Sequence, residues 1–259
     1  MAKDLFDYEE MEKRIKQESD RKIFEKVFDT QTLKTLNILA TKNLFETLDH
    51  IISTGKEAHV FLATDISGNP RAVKIFKKET TDFKRMQEYI VDDRRFKGIK
   101  KDRRNLVYAW SKKEYKNLLI ANKARLPVPL VLGFKENIIV MEFIGEKEDA
   151  APRLKETKPT NEQLKNYKEQ VIEFIAKLYL AGLIHADLSE YNILVKQNNL
   201  YVIDFGQAVL LNHPHAKDFF ERDVTNIACY FSKQGLETSF EELYSEIKNK
   251  KNLLSKEHS

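Results

Sequence analysis

The 259-residue sequence predicts an α+β fold of bilobal build, and three observations carry that expectation. Strand patterns cluster between Ile51 and Ile144, helical patterns precede and follow them, and a charged, proline-containing stretch from Gly145 to Lys158 falls where one lobe would end. The expected order is an N-terminal helical region over 1–48, a first lobe with an antiparallel sheet and a helix over 49–145, and a mostly helical second lobe over 146–259. At 42% hydrophobic residues the chain can bury a sizeable core, and it is too short for an additional large domain. Helix should exceed strand, and no internal repeat or low-complexity tract is visible.

The elements follow in order. Leu33, Leu36, Ile38 and Leu39 mark an N-terminal helix. Leu48–Ile52 and Val60–Ala63 read as two strands of one hairpin, and after the turn Ser67-Gly68-Asn69-Pro70 the run Ala72-Val73-Lys74-Ile75-Phe76 alternates as a strand, with Lys74 facing away from Val73 and Ile75. Thr80 to Arg104 is highly charged and weakly periodic, so a loop is expected there. Ser111 to Ala124 reads as a helix with a serine cap, and Val128–Phe134 and Ile138–Gly145 as two further strands. Glu162 to Ala181 carries the apolar stripe Val171, Ile172, Phe174, Ile175, Leu178 and Tyr179. Ile193-Leu194-Val195 and Leu200–Ile203 form a hairpin about the turn Gln197-Asn198-Asn199, and helices are expected over Glu221–Ser232 and Phe240–Lys248.

The chemistry concentrates at that last hairpin. His185-Ala186-Asp187-Leu188-Ser189-Glu190-Tyr191-Asn192 fits His-x-Asp-Leu-x-x-x-Asn, and Ile203-Asp204-Phe205-Gly206 supplies Asp-Phe-Gly. Transfer of a γ-phosphoryl group needs positioning and charge neutralisation more than covalent chemistry, so a carboxylate and an amide must face one cavity. Asp187 is placed to accept or orient a hydroxyl proton, and Asn192 and Asp204 to hold magnesium. A single loop carboxylate is usually just solvated, but the ordered set is specific.

Three upstream features complete a nucleotide site. Ser53-Thr54-Gly55-Lys56-Glu57-Ala58-His59-Val60 puts small residues, Ser53, Gly55 and Ala58, at the three places of a phosphate-covering loop, with Val60 set to lie over a base. A Walker-type loop is excluded, because His50 and Glu57 stand where it needs glycine and Ser or Thr. Lys74 matches the strand lysine that bridges the α- and β-phosphates, and Glu114 is its expected partner, although its spacing from Ser111 also fits a capping box. The Ile138–Gly145 strand is a candidate hinge for adenine, recognised by the Glu142 carbonyl and the Ile144 N–H with Met141 behind.

Taken together, Ser53–Ala58, His185–Asn192 and Ile203-Asp204-Phe205-Gly206-Gln207 resemble the RIO family of atypical protein kinases, above all its first, archaeal-like subfamily. The stretch His213-Pro214 through Ile227 resembles that subfamily's tail, and the ~50 residues before the first strand are too few for the winged-helix domain expected of the second subfamily. The resemblance implies a bilobal protein-kinase-like fold and an ATP- and magnesium-dependent serine/threonine kinase or ATPase, with manganese as an alternative metal. Autophosphorylation and a role in maturing the small ribosomal subunit, its RNA and protein included, are also implied. By the same resemblance Asp187 is the catalytic base, Asn192 and Asp204 the metal ligands, Lys74 the phosphate lysine, and Glu142 and Ile144 the adenine contacts, while Ser53, Gly55, Lys56, Ala58 and Val60 are the candidate nucleotide contacts of the loop. Asp204 is the alternative, aspartyl-phosphate nucleophile.

Departures from ordinary protein kinases shape the expectation. Ser189 stands where a lysine would neutralise the γ-phosphate, which predicts slow turnover, and no Ala-Pro-Glu follows Gly206, so the platform for a peptide substrate is missing. Two alternatives are a small-molecule kinase of the aminoglycoside phosphotransferase type, which Ser53–Ala58 disfavours, and a non-enzymatic ATP-binding assembly factor, which an intact Asp187 disfavours.

Composition bounds the partners. With 44 basic and 40 acidic residues the net charge is only +4, which excludes a general nucleic-acid coat. Any RNA contact would be local, through Arg94, Arg95, Lys97, Lys100, Lys101, Arg103 and Arg104. A lone cysteine, Cys229, excludes an intrachain disulfide and is expected to be a small buried helix residue. No run approaches the ~18 apolar residues of a membrane span and Met1–Arg21 has no apolar core, so a soluble cytoplasmic protein is expected. The 32% of charged residues would suit a thermophile.

Overall fold

The computed structural model describes residues 29–78, 83–99 and 102–257. The expectations for 1–28, for the start of the Thr80–Arg104 segment and for Lys100 and Lys101 lie outside the described residues. The chain divides into two compact units. One comprises residues up to Glu88, Gly98–Tyr115 and Leu130–Ala150, and the other Tyr89–Lys97, Lys116–Pro129 and Ala151 onward.

The first unit is built on a five-stranded sheet of order β1-β2-β3-β5-β4, with β1 Thr47–Thr54, β2 Ala58–Thr64, β3 Pro70–Phe76, β4 Val131–Lys135 and β5 Ile138–Glu142, all pairs antiparallel. Helix α1, Thr30–Thr41, starts where the Asp29 carboxylate accepts from the Thr32 N–H at 2.9 Å. Its buried stripe of Leu33, Leu36, Leu39 and Ala40 joins Phe61, Val73, Ile75, Ile138 and Val140 in one core cluster. The residues that stand opposite one another in the ladder, Phe61, Val73 and Val140, therefore face α1, and period-two alternation turns Val60, Lys74 and Ile139 to the other face. Glu136, in the β4–β5 turn, fastens α1 to the sheet by accepting from Gln31 Nε2 at 3.0 Å and Thr35 Oγ1 at 3.1 Å.

Two segments depart from the sequence expectation. The charged stretch after β3 is not one loop: α2 spans Phe83–Val91 and a 3-10 turn covers Arg94–Phe96, capped by the Asp93 carboxylate on the Arg95 N–H at 3.0 Å. Met86, Tyr89, Ile90 and Phe96 are buried, an apolar set too sparse among the charges to read as periodic. The following helix, α3, runs from Arg103 to Lys123. It opens where Asp102 accepts from the Asn105 N–H at 3.0 Å, and Ser111, the expected cap, lies inside it with its hydroxyl 2.5 Å from the Glu136 carbonyl oxygen. Leu106, Val107, Ala109 and Trp110 are buried there, which pays for a first turn that carries two arginines.

In the second unit, α4, Asn161–Leu180, opens with a capping box between Thr160 and Gln163 and buries Val171, Phe174, Ile175 and Leu178. Ile193–Lys196 and Asn199–Val202 form a hairpin whose turn residues Gln197 and Asn198 have φ of 51° and 62°, and the short strands Leu183–Ile184 and Val209–Leu210 pair across it in sequence. Two helices, α5 over Ala216–Lys233 and α6 over Phe240–Glu257, complete the unit, each longer than its expected span. Cys229 is exposed rather than buried, because Val224, Ile227, Ala228 and Phe231 define the buried stripe of α5 and leave position 229 outside it. Among the described residues, no helix is long and apolar enough to cross a membrane.

Candidate active site

In the first unit the sheet face opposite α1 carries the nucleotide candidates. Lys74 points from β3 to α3, where its Nζ donates to both carboxylate oxygens of Glu114, at 2.7 and 2.8 Å. Both side chains are nearly buried, at 12% and 2% exposure, so the charges neutralise each other away from water. The same face carries Ala58, Val60 and Met141, and it adds Ala72, opposite Met141 in the ladder, which belongs to no motif but is placed there by strand alternation.

The loop between β1 and β2 is tight and anchored. The Gly55 N–H donates to the Ala58 carbonyl at 2.9 Å, and Lys77 Nζ donates to the Gly55 carbonyl at 2.6 Å. Ser53 stands opposite Val60 in the ladder, while Gly55 and Lys56 are exposed. A Cβ built at Gly55 would lie 3.6 Å from the Ala58 oxygen, an ordinary contact, so the fold alone does not require glycine. Behind the loop, the fully buried Trp110 of α3 donates its indole N–H to Glu57 Oε2 at 2.8 Å. Sequence reasoning passed over Glu57 and Trp110, since only their meeting in space gives them a role. At the hinge, Ile144 is buried, and Glu142 is tied to Leu130 by a backbone bond of 2.8 Å and a side-chain bond of 3.2 Å.

The second unit brings Asp187 and Asn192 together. Asn192 Nδ2 donates to the Asp187 carbonyl at 2.9 Å and to its Oδ2 at 3.2 Å, and Gln207 Nε2 donates to the same Oδ2 at 2.9 Å. Ile203 N–H donates to the Asn192 carbonyl at 2.9 Å, which joins the loop to the strand leading into Asp204. Asp204 is exposed and has a φ of 68°, a left-handed conformation that non-glycine residues seldom adopt. Asn117 of α3, fully buried, pins the segment after it by donating to the carbonyls of Phe205 at 2.9 Å and Ala208 at 2.8 Å. His185 packs edge-on against Phe205 with its Nε2 3.1 Å from the Ile203 oxygen, a core position.

The loop holding Asp187 is clamped from α5. Asp223, buried, accepts from the N–H groups of Ala186 and Leu188, both at 2.8 Å, and Asn226 Nδ2 donates to the Leu188 carbonyl at 3.2 Å. Arg222 donates to the Ala186 carbonyl, and Ala186 itself is held at a φ of 63°. Burial pushes the Asp223 carboxyl up to about 7, against the pull of its two backbone donors and of Arg222, with Asp187 adding to the rise. The sequence gives Asp223 no distinguishing mark beyond its place in a helical run.

A sheet lysine held by a helical glutamate, and an Asp–Asn loop braced on the helical unit, class this α+β fold as protein-kinase-like. Comparison of sequences narrows the class: the chain belongs to the RIO domain family, whose model matches residues 59–243. It is 38% identical over 238 residues to the RIO-type serine/threonine-protein kinase Rio1 of Haloferax volcanii, with 92% of this chain and 81% of that one covered. Rio1 of Methanocaldococcus jannaschii is 39% identical over 242 residues, with 93% and 82% covered. Human serine/threonine-protein kinase RIO1 is 35% identical over 226 residues, and the chain spans 40% of its length. The fold is shared with the Rio2 kinase of Chaetomium thermophilum, solved as an ADP/Mg2+-phosphoaspartate complex, at a TM-score of 0.63 and 20% identity over 83% of this chain and 66% of that one.

Proposed function

We propose that this member of a serine/threonine kinase family is an ATP- and magnesium-dependent, autophosphorylating enzyme with ATP hydrolysis as a second output. Its setting would be the maturation of the small ribosomal subunit, as the family resemblance implies. The observation that carries the catalytic reading is the Lys74–Glu114 pair. Taking two charges out of water costs several kcal/mol per ion, so a pair of this kind is weak as a stabilising device. It makes sense as a means of holding an ammonium where α- and β-phosphates would sit.

In this reading Asp187 accepts the proton of a serine or threonine hydroxyl as that oxygen bonds to the γ-phosphorus and ADP leaves. Gln207 and Asn192 hold the Asp187 carboxylate in place, and Asp223 holds the backbone N–H groups on either side of it. Asn192 and Asp204 offer an amide oxygen and a carboxylate, hard ligands that suit Mg2+, which takes few protein oxygens and completes its shell with phosphates and water. Mn2+ accepts the same ligand set. When bound, the metal would neutralise charge on the phosphates. Ser53, Gly55, Lys56, Ala58 and Val60 would cover the phosphates and base, and Glu142 and Ile144 would meet adenine. The exposed Asp204 carboxylate is the alternative nucleophile, forming an aspartyl phosphate that water then releases.

RNA contact through 94–104 is the proposed route to a ribosomal particle. Arg94 and Lys97 are exposed, whereas Arg95 is paired with Asp93 at 2.6 Å and Arg104 lies over the Tyr108 ring. The contact should therefore be small and salt-sensitive.

The test follows γ-labelled ATP with magnesium, comparing wild type with Asp187→Ala and Asp204→Ala for label on the protein and phosphate released. Both signals should vanish in both variants, and hydroxylamine lability separates aspartyl phosphate from acid-stable phosphoserine. Background-level signal in all three proteins, with ATP still bound, would leave a non-enzymatic assembly factor.

A further inference from the structure

Apart from the phosphoryl-transfer candidates, the second unit holds a groove of about 260 Å3 between its three long helices. Its floor is aromatic. Tyr179 of α4 meets Phe220 of α5 edge-on at 5.6 Å between ring centroids, and Phe220 meets Tyr244 of α6 in the same way at 5.8 Å. Leu211 and Tyr244, which also line it, are 37% and 38% exposed, so apolar surface reaches water there.

The rim is cationic. Lys217, Lys248 and Lys251 line the groove, and no acidic residue does among those described. Lys217 has Glu221 at 3.7 Å, beyond a charge-assisted hydrogen bond, and Lys251 Nζ rests 4.7 Å from the centre of the Tyr179 ring. Three positive charges around an apolar floor favour a ligand that is apolar at one end and anionic at the other. Size narrows the class further. The groove's volume lies just under the ~300 Å3 at which drug-sized pockets begin.

We propose that this groove binds a small amphiphilic carboxylate, an aryl acid or a medium-chain aliphatic acid. Its hydrocarbon body lies on Tyr179, Phe220 and Tyr244, and its head lies among Lys217, Lys248 and Lys251.

The experiment titrates the full chain with octanoate and 1-naphthoate by calorimetry, with octanol and octylammonium as matched neutral and cationic probes. Saturable octanoate binding is expected, with octanol and octylammonium about tenfold weaker or worse, the factor that ~1.4 kcal/mol carries. The triple variant Lys217→Gln, Lys248→Gln, Lys251→Gln should weaken octanoate by at least the same factor. Leu211→Glu, a single change at an exposed position, should do so too and does not depend on the triple variant folding. Absence of saturable binding at millimolar octanoate, equal binding of octanol and octanoate, or affinity unchanged in both variants would each overturn the assignment.

Discussion

The candidate residues of the first unit and those of the second are held in opposite ways. Lys74 sits on a strand and meets Glu114 on a helix, so two rigid elements aim two side chains at each other. Asp187 sits on a loop, and its position comes from bonds to the loop's backbone, made by Asp223, Arg222 and Asn226 of α5. The first arrangement depends on side-chain charge and tolerates no loss of either partner. The second spreads the work over several bonds and depends on the burial of one carboxylate.

The largest expected effect therefore falls on the pair. Lys74→Met should reduce phosphate transfer by two orders of magnitude or more, since a preorganised charge at the phosphates is worth ~3–4 kcal/mol in related electrostatic sites. Glu114→Gln should lose nearly as much while leaving the fold intact, because the amide still fills the space and accepts one hydrogen bond from Lys74. Single-turnover rates at saturating ATP check both. A Glu114→Gln enzyme with wild-type rates would show that the pair is only structural.

Asp223 should give a smaller loss of activity and a larger loss of stability. Asp223→Ala leaves two buried N–H groups without acceptors, at ~1–3 kcal/mol each. Asp223→Asn removes the titrating group together with one of its two acceptors, so the pH dependence of the difference, not its size, isolates the charge. The folded-state pKa of about 7 lies above the ordinary value of 3.8, so between those values the folded protein binds more protons than the unfolded chain. Wild type should accordingly lose stability relative to Asp223→Asn as pH rises from about 4 to 7, by up to ~1.4 kcal/mol per pH unit, with no further change above 7. Urea melts at several pH values measure the difference. A flat difference would mean that the two backbone donors keep the carboxylate ionised throughout.

The same contrast explains what the sequence could disclose. Lys74 was legible because Val73 and Ile75 are buried on one side of a strand and alternation leaves no other place for it. Asp187, Asn192 and Asp204 were legible from spacing, as Gln197 and Asn198 were from turn chemistry. Glu114 was legible as a partner but not as part of its true helix, whose start at Arg103 is hidden among charges that ordinarily mark solvent. Asp223 and Asn117 were not legible as site residues, because each works by bonding a backbone group far away in sequence, and a polar residue in a helical run looks the same whether it faces water or a loop. Cys229 was misjudged for the converse reason: its type favours burial, and only the phase of α5 turns it outward.

The smallest expected effect concerns the β1–β2 loop, where a single glycine does the work usually shared by three. Such a loop has less backbone freedom to close on phosphates, and the Trp110–Glu57 and Lys77–Gly55 bonds restrict it further. Glu57→Gln keeps an acceptor for the indole N–H and should change little. Glu57→Ala removes it and frees the loop, so KM for ATP should rise about two- to fivefold with kcat little altered, the pattern of binding lost equally from ground and transition states. Trp110 is the chain's one tryptophan, so its emission reports on this contact directly. It should shift on Glu57→Ala and stay near wild type on Glu57→Gln. A rise in KM with unshifted emission would place the effect of Glu57 elsewhere in the loop, and a shifted emission with unchanged KM would make the contact a support for α3 alone.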